Sequence, residues 1–314
     1  MKKTIIKSFA FIFIVILTFS ISSCGIIKKP FPLITDTDTG STEPESTAVE
    51  TSDVTTAEEK TTEDISGYES NPDYLTYKAA NEKLNSLDSL KFYADTSQTI
   101  TMKYNGKTEK TVTETIIPVS VVGRISGDCK CSMQITARVT ANGQEQSTET
   151  LVWADGEKIY VKPGSAEKCT VTDRNDKSVE LYNEMTSVDN LFWDELSADY
   201  FAYTEGTVDN DGGITIKAVP SDHRMSTSVA EVEEALRSTF ALMGATDIKT
   251  GEKSMEQEFL IDGEGYLLCS ETRIKIEMEM ILGGSKVKVS SETMTGLSCR
   301  QGWWEPVYVE IPEE

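Results

Sequence analysis

The sequence has little of what most metalloenzymes, nucleotide-binding proteins and nucleic-acid-binding proteins rely on. Its 314 residues include a single histidine, His223, and only 30 lysines and arginines against 52 aspartates and glutamates. One histidine cannot make a histidine-rich zinc site, and no glycine-rich phosphate loop is present. The formal net charge of −22 disfavours binding to nucleic acid, and binding to anionic membranes through basic patches.

A long apolar segment is also lacking. The longest stretch that is almost wholly apolar, residues 8–21, is 14 residues long, whereas a transmembrane helix needs about 20. Three lysines precede it within the first seven residues, and Ile-Ser-Ser-Cys at residues 21–24 ends it. A positive start, a short apolar core and small residues at its end are typical of a secretory signal peptide.

Residues Ile21, Ser22, Ser23 and Cys24 resemble the lipobox of bacterial lipoproteins, in which an apolar residue and two small residues precede a cysteine. The resemblance implies that a signal peptide of residues 1–23 is removed. It also implies that the Cys24 thiol carries diacylglycerol, with fatty acids such as palmitate, which holds the chain at the outer face of the cytoplasmic membrane. An ordinary signal peptide fits less well, because no Ala-x-Ala precedes a cleavage point.

Residues 24–70 then form a segment rich in threonine, serine and glutamate. Between residues 36 and 69, eleven acidic residues stand against one lysine, Lys60. The segment has no apolar periodicity, so it cannot bury enough surface to offset the entropy of ordering. The sequence therefore predicts a disordered acidic tether behind the lipidated cysteine.

The folded domain is expected over residues 71–314. An Asn-Pro pair at its start and apolar residues spaced by three and four predict a helix over 72–88. A second helical region, of one helix or two short ones, is predicted over 178–196. A capping box and an apolar stripe predict a third helix over 228–243, which Gly244 closes.

The rest of the domain alternates between apolar and polar residues, which is typical of antiparallel strands with one buried face. Asn-Gly, Asp-Gly and Gly-Gly pairs separate several of these segments and predict tight turns. The predicted strands cover residues 90–104, 109–126, 129–140, 147–153, 158–162, 200–207, 214–219, 258–261, 266–282 and 286–293, with a final strand over 307–312.

This order of helix, meander, helical middle and second meander resembles the LolA-like lipoprotein carrier superfamily. The resemblance rests on residues 77–90, 153–160 and 259–267, and it covers most of residues 72–312. It implies an α+β fold, in which a strongly curved antiparallel sheet forms a half-barrel and helices cover its concave face. It also implies an apolar cavity that can hold acyl chains.

Two functions follow as expectations, neither of them enzymatic and neither with a cofactor. The first is a surface-anchored lipoprotein that binds a hydrophobic or amphiphilic ligand, in the manner of a lipid carrier. The second is a structural or interaction lipoprotein of the same fold that contacts cell-envelope partners, with its cavity filled by side chains. Candidate cavity residues are the methionines on apolar strand faces, for which plain core packing is the alternative: Met102, Met133, Met278 and Met280.

The histidine, one acidic turn and the remaining cysteines give weaker indications of a chemical function. His223 is expected to be a solvated loop residue, and the acidic turn at residues 209–213 predicts a hairpin rather than a calcium loop. Cys129 and Cys131 lie on the same face of a predicted strand. Three interpretations of this pair stay open: buried thiols, halves of separate disulfides, or ligands of a soft-metal site. No metal site is predicted, and the pairing of the five cysteines beyond Cys24 stays open: Cys129, Cys131, Cys169, Cys269 and Cys299.

Overall fold

The computed structural model describes residues 67–141, 143–300, 302 and 307–312. The signal peptide, the lipobox with Cys24, and nearly all of the predicted tether lie outside the described residues. The predicted folded domain falls almost wholly within them.

Eleven antiparallel strands form one sheet, in the order β6-β5-β4-β3-β2-β1-β11-β10-β9-β8-β7. The strands are β1 (Leu90–Tyr104), β2 (Lys107–Val122), β3 (Lys130–Ala141), β4 (Gln144–Ala154), β5 (Lys158–Pro163), β6 (Thr170–Asp173), β7 (Tyr203–Val208), β8 (Ile214–Val219), β9 (Thr246–Ile261), β10 (Leu267–Leu282) and β11 (Ser285–Ser298).

The sheet consists of two meanders joined at one seam. Strands β1 to β6 follow one another in space as in sequence, and so do β7 to β11. The seam is the antiparallel pair of β1 and β11, in which Gln98 lies opposite Thr293. Strands β6 and β7 are not paired with each other in the described part of the chain, so the sheet stays open. This arrangement is consistent with the predicted half-barrel.

Among the described residues, three α-helices accompany the sheet: α1 (Pro72–Asn85), α2 (Glu180–Met185) and α3 (Asp222–Leu242). The prediction for α1 is confirmed, with Asn71 as its cap: the Asn71 side chain accepts a hydrogen bond from the Asp73 amide. The predicted helical region 178–196 is only partly helical. After α2 it contains a short 3-10 turn at Val188–Leu191, and residues 192–196 are extended. Their backbone groups form hydrogen bonds with α1 rather than with one another, which explains why these residues are not helical.

Helix α3 begins earlier than the capping box at residue 228 predicts. Its cap is Ser221, whose hydroxyl accepts a hydrogen bond from the Arg224 amide. Ser228 lies inside the helix and bonds to the Tyr200 hydroxyl instead. The predicted end is confirmed, because Gly244 adopts a φ of 85° directly after the last turn.

Two predicted strands differ most from the structure, and strand β6 was not predicted. Strand β9 begins at Thr246, twelve residues before the predicted start, because its first half is mostly exposed and shows little apolar alternation. Register shifts against β10 in this half break the alternation further. The predicted last strand at 307–312 is not formed: these residues lie outside regular secondary structure.

One face of the sheet, here called the inner face, carries the buried residues, and two groups of helical residues pack against it. The first cap consists of α1 and residues 177–201, and the second cap is α3. Under the first cap, the Tyr77 ring packs on Phe201 and Phe259 at centroid distances of 5.0 and 4.6 Å. Under the second cap, the apolar stripe of α3 contacts the far ends of β1, β9, β10 and β11. That stripe consists of Val229, Val232, Leu236 and Phe240.

A polar network also attaches the second cap to the sheet. Glu233 of α3 accepts hydrogen bonds from Arg237 at 2.9 Å, from Thr250 of β9 at 2.6 Å and from Lys253 at 3.1 Å. Its side chain is only 17% exposed. Burial alone would raise its pKa, but these three donors together hold the pKa of Glu233 at about 2.

The network predicts that the second cap loosens in acid. The folded-state pKa of Glu233 lies below the unfolded value of 4.5, so its stabilisation is present above pH 4.5 and is lost as the pH falls towards 2. Allowing for solvent screening, we expect Glu233→Gln to remove about 1–2 kcal/mol of the difference in unfolding free energy between pH 5 and pH 2.5. Urea titrations at both pH values measure it. Glu234→Gln, on the exposed side of the same turn, should leave the difference unchanged.

Candidate binding site on the inner face

A band of polar side chains crosses the inner face between the two apolar clusters. It runs across β2, β1 and β11 in register: Thr96 of β1 lies opposite Thr115 and Thr295, and Gln98 lies opposite Thr113 and Thr293. The band, here called the polar band, consists of Thr96, Gln98, Thr111, Thr113, Thr115, Gln257, Thr272, Ser291, Thr293 and Thr295.

The polar band is deeply buried and not fully hydrogen-bonded. The Gln98 amide nitrogen donates to Thr293 at 3.3 Å and to Ser291 at 3.5 Å, while its oxygen has no partner in the described structure. Gln257 repeats this pattern: its nitrogen donates to Thr272 at 3.3 Å and its oxygen is unpaired. The Thr113 hydroxyl is unpaired as well. Since a buried unpaired polar atom costs about 1–3 kcal/mol, we expect water or another polar group to bind at these atoms.

A small cavity adjoins the polar band under the first cap. Its volume is about 30 Å³, close to the space of one water molecule. Thr96, Thr115 and Thr295 of the polar band form one side. Apolar side chains of the sheet and of the first cap form most of the rest: Phe92, Ala94, Ile117, Val119, Met133, Met185, Leu191, Phe192, Trp193 and Leu297.

Trp193 and Asn190 are the polar residues that the first cap contributes to the lining of this cavity. Trp193 is 3% exposed, and its ring meets Phe92 edge-on at 6.3 Å. Its indole N–H has no hydrogen-bond partner among the described residues, although its backbone is well held. The Trp193 carbonyl accepts from Asn81 at 3.3 Å and from Asn85 at 2.7 Å, and its amide donates to the Asn85 side chain at 3.0 Å.

Arg124, in the turn after β2, holds the first cap through hydrogen bonds. Its guanidinium donates to the carbonyls of Leu84 and Leu87 at the end of α1, and to the Leu191 carbonyl at 2.8 Å. It also lies 4.6 Å from the centre of the Phe192 ring. Arg124 is 3% exposed, and this burial lowers the pKa of its guanidinium to about 10. The buried guanidinium charge is therefore hydrogen-bonded to three carbonyl oxygens of the first cap.

A third group of side chains joins the two caps. The Tyr200 hydroxyl and the Ser228 hydroxyl are 3.1 Å apart, and the Tyr200 ring packs against both apolar clusters. Arg224 of α3 pairs with the buried Asp199 at 2.9 Å and lies over the Tyr200 ring. The first cap cannot swing outwards as a whole without breaking these contacts.

The four predicted cavity methionines fall into two groups. Met133 of β3 lines the inner-face cavity. Met102, Met278 and Met280 pack in the apolar cluster under the second cap, away from that cavity. The structure thus brings one of the four to the candidate site.

The five cysteines beyond Cys24 are free thiols, and no group of three or more histidine, cysteine, aspartate or glutamate side chains in the described chain could hold a metal. Burial raises the pKa of Cys269 to about 11 and that of Cys299 to about 12. Burial also raises the pKa values of Cys129 and Cys131. His223 lies in the first turn of α3 rather than in a loop.

A larger groove lies at the other side of the sheet, where β7, β8, β9 and β10 run side by side. Its volume is about 470 Å³. Its side chains are mostly charged, with four glutamates against one lysine and one arginine, and Tyr203 is 71% exposed at its rim. The charged lining is Glu205, Lys217, Glu256, Glu258, Glu271 and Arg273.

Sequence reasoning missed the polar band. The signal for it was present: the inward positions of β1 read Leu90, Phe92 and Ala94, then Thr96 and Gln98, before apolar residues resume. A gap of two polar residues in an otherwise apolar face shows where the face changes character. It does not show that the neighbouring strands, β2 and β11, become polar at the same level of the sheet.

No protein-family model matches the sequence, and no curated protein matches it. Among the described residues, no helix has the length and apolar character needed to cross a membrane. Several solved structures match. LprF from Mycobacterium bovis has 10% identity over 76% of this chain and 95% of its own, with a TM-score of 0.33. A DUF1329 family protein from Desulfovibrio piger has 13% identity over 73% and 93%, with a TM-score of 0.19. At such TM-scores these likenesses carry no argument about function.

Proposed function

We propose that this chain is an exported, lipid-anchored protein of the bacterial cell surface that binds an amphiphilic ligand between the sheet and the first cap, without catalysis. Cys24 carries the anchor at the outer face of the cytoplasmic membrane. The helices cover the concave face of the half-barrel. One observation carries the proposal: a mostly apolar cavity on the inner face shares three threonines with the polar band and is lined by Trp193, whose buried indole N–H has no partner among the described residues.

The ligand must displace part of the first cap, because ligand pockets usually measure about 300–1,000 Å³ and the cavity holds about 30 Å³. The segment after α2 is suited to this movement. It consists of short 3-10 turns and extended residues, and several of its bonds run to α1 rather than within the segment. We expect residues 186–196 to shift while the sheet stays in place, with loss of some of these bonds and of the bond from Arg124 to the Leu191 carbonyl.

A test is the uptake of a fluorescent fatty acid by residues 24–314 carrying Cys24→Ser, combined with native mass spectrometry and organic extraction. We expect saturable binding, or a co-purifying lipid that extraction removes. Ala94→Leu, which fills the cavity from β1, should weaken binding at least tenfold. Ser97→Leu, on the other face of the same strand, is the matched control and should bind as the unchanged chain does.

A second candidate function is an interaction lipoprotein that contacts cell-envelope partners. The small volume of the inner-face cavity favours it, as does the larger charged groove beside β7. A bare mass in native spectrometry together with no uptake of the fatty acid would exclude ligand binding and leave this second function.

A further inference from the structure

We infer that the polar band is a subsite for an uncharged polar group of the ligand, one that carries hydroxyl hydrogens. This inference rests on the proposed function, and it names the chemical class of the ligand's polar part. The three unpaired atoms of the band are the Gln98 oxygen, the Gln257 oxygen and the Thr113 hydroxyl. Their residues are 1%, 3% and 0% exposed.

The hydrogen-bonding character of these atoms sets the first requirement. Both glutamine nitrogens already donate to threonine or serine hydroxyls, so each glutamine presents an oxygen that can only accept. The Thr113 hydroxyl can accept or donate. A group that satisfies the Gln98 oxygen and the Thr113 hydroxyl, which belong to paired positions of β1 and β2, must therefore supply hydrogen atoms, as alcohols do and as esters do not.

The absence of charge in the polar band sets the second requirement. All ten of its side chains are neutral: threonine, serine or glutamine. The charged residue in the cavity lining, Asp95, is itself acidic, and Arg224 at the junction of the caps already pairs with Asp199. A phosphate or carboxylate placed on the polar band would be buried without a counter-charge, which costs far more than burying a hydroxyl.

The position of the polar band in the sheet sets the orientation of the ligand. Thr96, Thr115 and Thr295 belong both to the polar band and to the cavity wall. The next row, with Gln98 and Thr113, lies farther along the strands towards the second cap. The apolar part of the ligand then lies against Phe92 and its neighbours under the first cap, with its polar end pointing towards α3.

Three probes with one fluorescent acyl chain test this: the glycerol monoester, the methyl ester and the free acid. With residues 24–314 carrying Cys24→Ser, we expect the monoester to bind about tenfold more tightly than either of the others, since one or two added hydrogen bonds are worth about that factor. Gln98→Met should reduce monoester binding to the methyl ester level and leave the methyl ester unchanged. Gln134→Met, on the opposite face of β3, is the matched control.

The outcomes separate the two proposals. If all three probes bind equally, or the free acid binds most tightly, the proposed subsite is wrong and the proposed ligand binding stands. Equal binding is also the result expected if only water occupies the polar band. If no probe binds, the proposed function fails and the subsite with it. Circular dichroism and thermal unfolding of Gln98→Met establish that the variant is folded, as expected for an apolar side chain of similar length.

Discussion

Replacing Cys24 with serine is expected to abolish lipid attachment completely. Diacylglycerol is joined to a thiol in the lipoprotein pathway that the lipobox implies, and serine has none. In cells fed an alkyne-labelled fatty acid, the unchanged chain should carry the label and Cys24→Ser should carry none. The precursor should also keep residues 1–23, which the mass of the purified chain measures.

The control for this experiment is Ser23→Ala, which keeps a small residue before the cysteine. It should be labelled and cleaved as the unchanged chain is. Label that persists in Cys24→Ser would place the lipid on another residue and remove the basis for the anchor.

Replacing Arg124 with leucine is expected to lower the free energy of unfolding by about 3–5 kcal/mol. Arg124 is 3% exposed and its guanidinium donates to three carbonyls, and each unpaired buried group costs about 1–3 kcal/mol, partly relieved by relaxation. Urea unfolding at pH 7 measures the change. Arg124→Lys should recover only part of the loss, since an ammonium group cannot reach three carbonyls in the same fork geometry.

The matched control is Arg138→Leu on the outward face of β3. Its guanidinium pairs with Glu145 at 3.2 Å, and its side chain is 47% exposed, so we expect a change below about 1 kcal/mol. Equal losses for the two variants would show that the carbonyl contacts of Arg124 do not hold the first cap.

Much of the fold was predictable because its signals are local. Tight turns such as Asn105-Gly106 separate strands whose alternation is regular, and Asn71 caps α1 within two residues. The errors lie where contacts distant in sequence decide the outcome. Residues 192–196 are extended because Asn85 and Tyr77 bond to their backbone, and these partners are more than 100 residues away.

The candidate site was predicted only in part for the same reason. The family resemblance implied an apolar cavity, and Met133 does line one, but the sequence cannot show that α3 packs over Met278 and Met280. The polar band exists only when β2, β1 and β11 lie in register. Gln98 and Thr293 are 195 residues apart, so no spacing rule connects them.

The seam between β1 and β11 also has a consequence for how the chain folds. The longest connection within either meander, from β8 to β9, runs over residues 220–245, whereas the seam must bring together segments about 195 residues apart, at an entropic cost of about 5 kcal/mol. We therefore expect the two meanders to form first and the seam to limit the folding rate. A chain cut between them, in the 3-10 segment after α2, would then yield two complementary fragments that reassemble through β1 and β11.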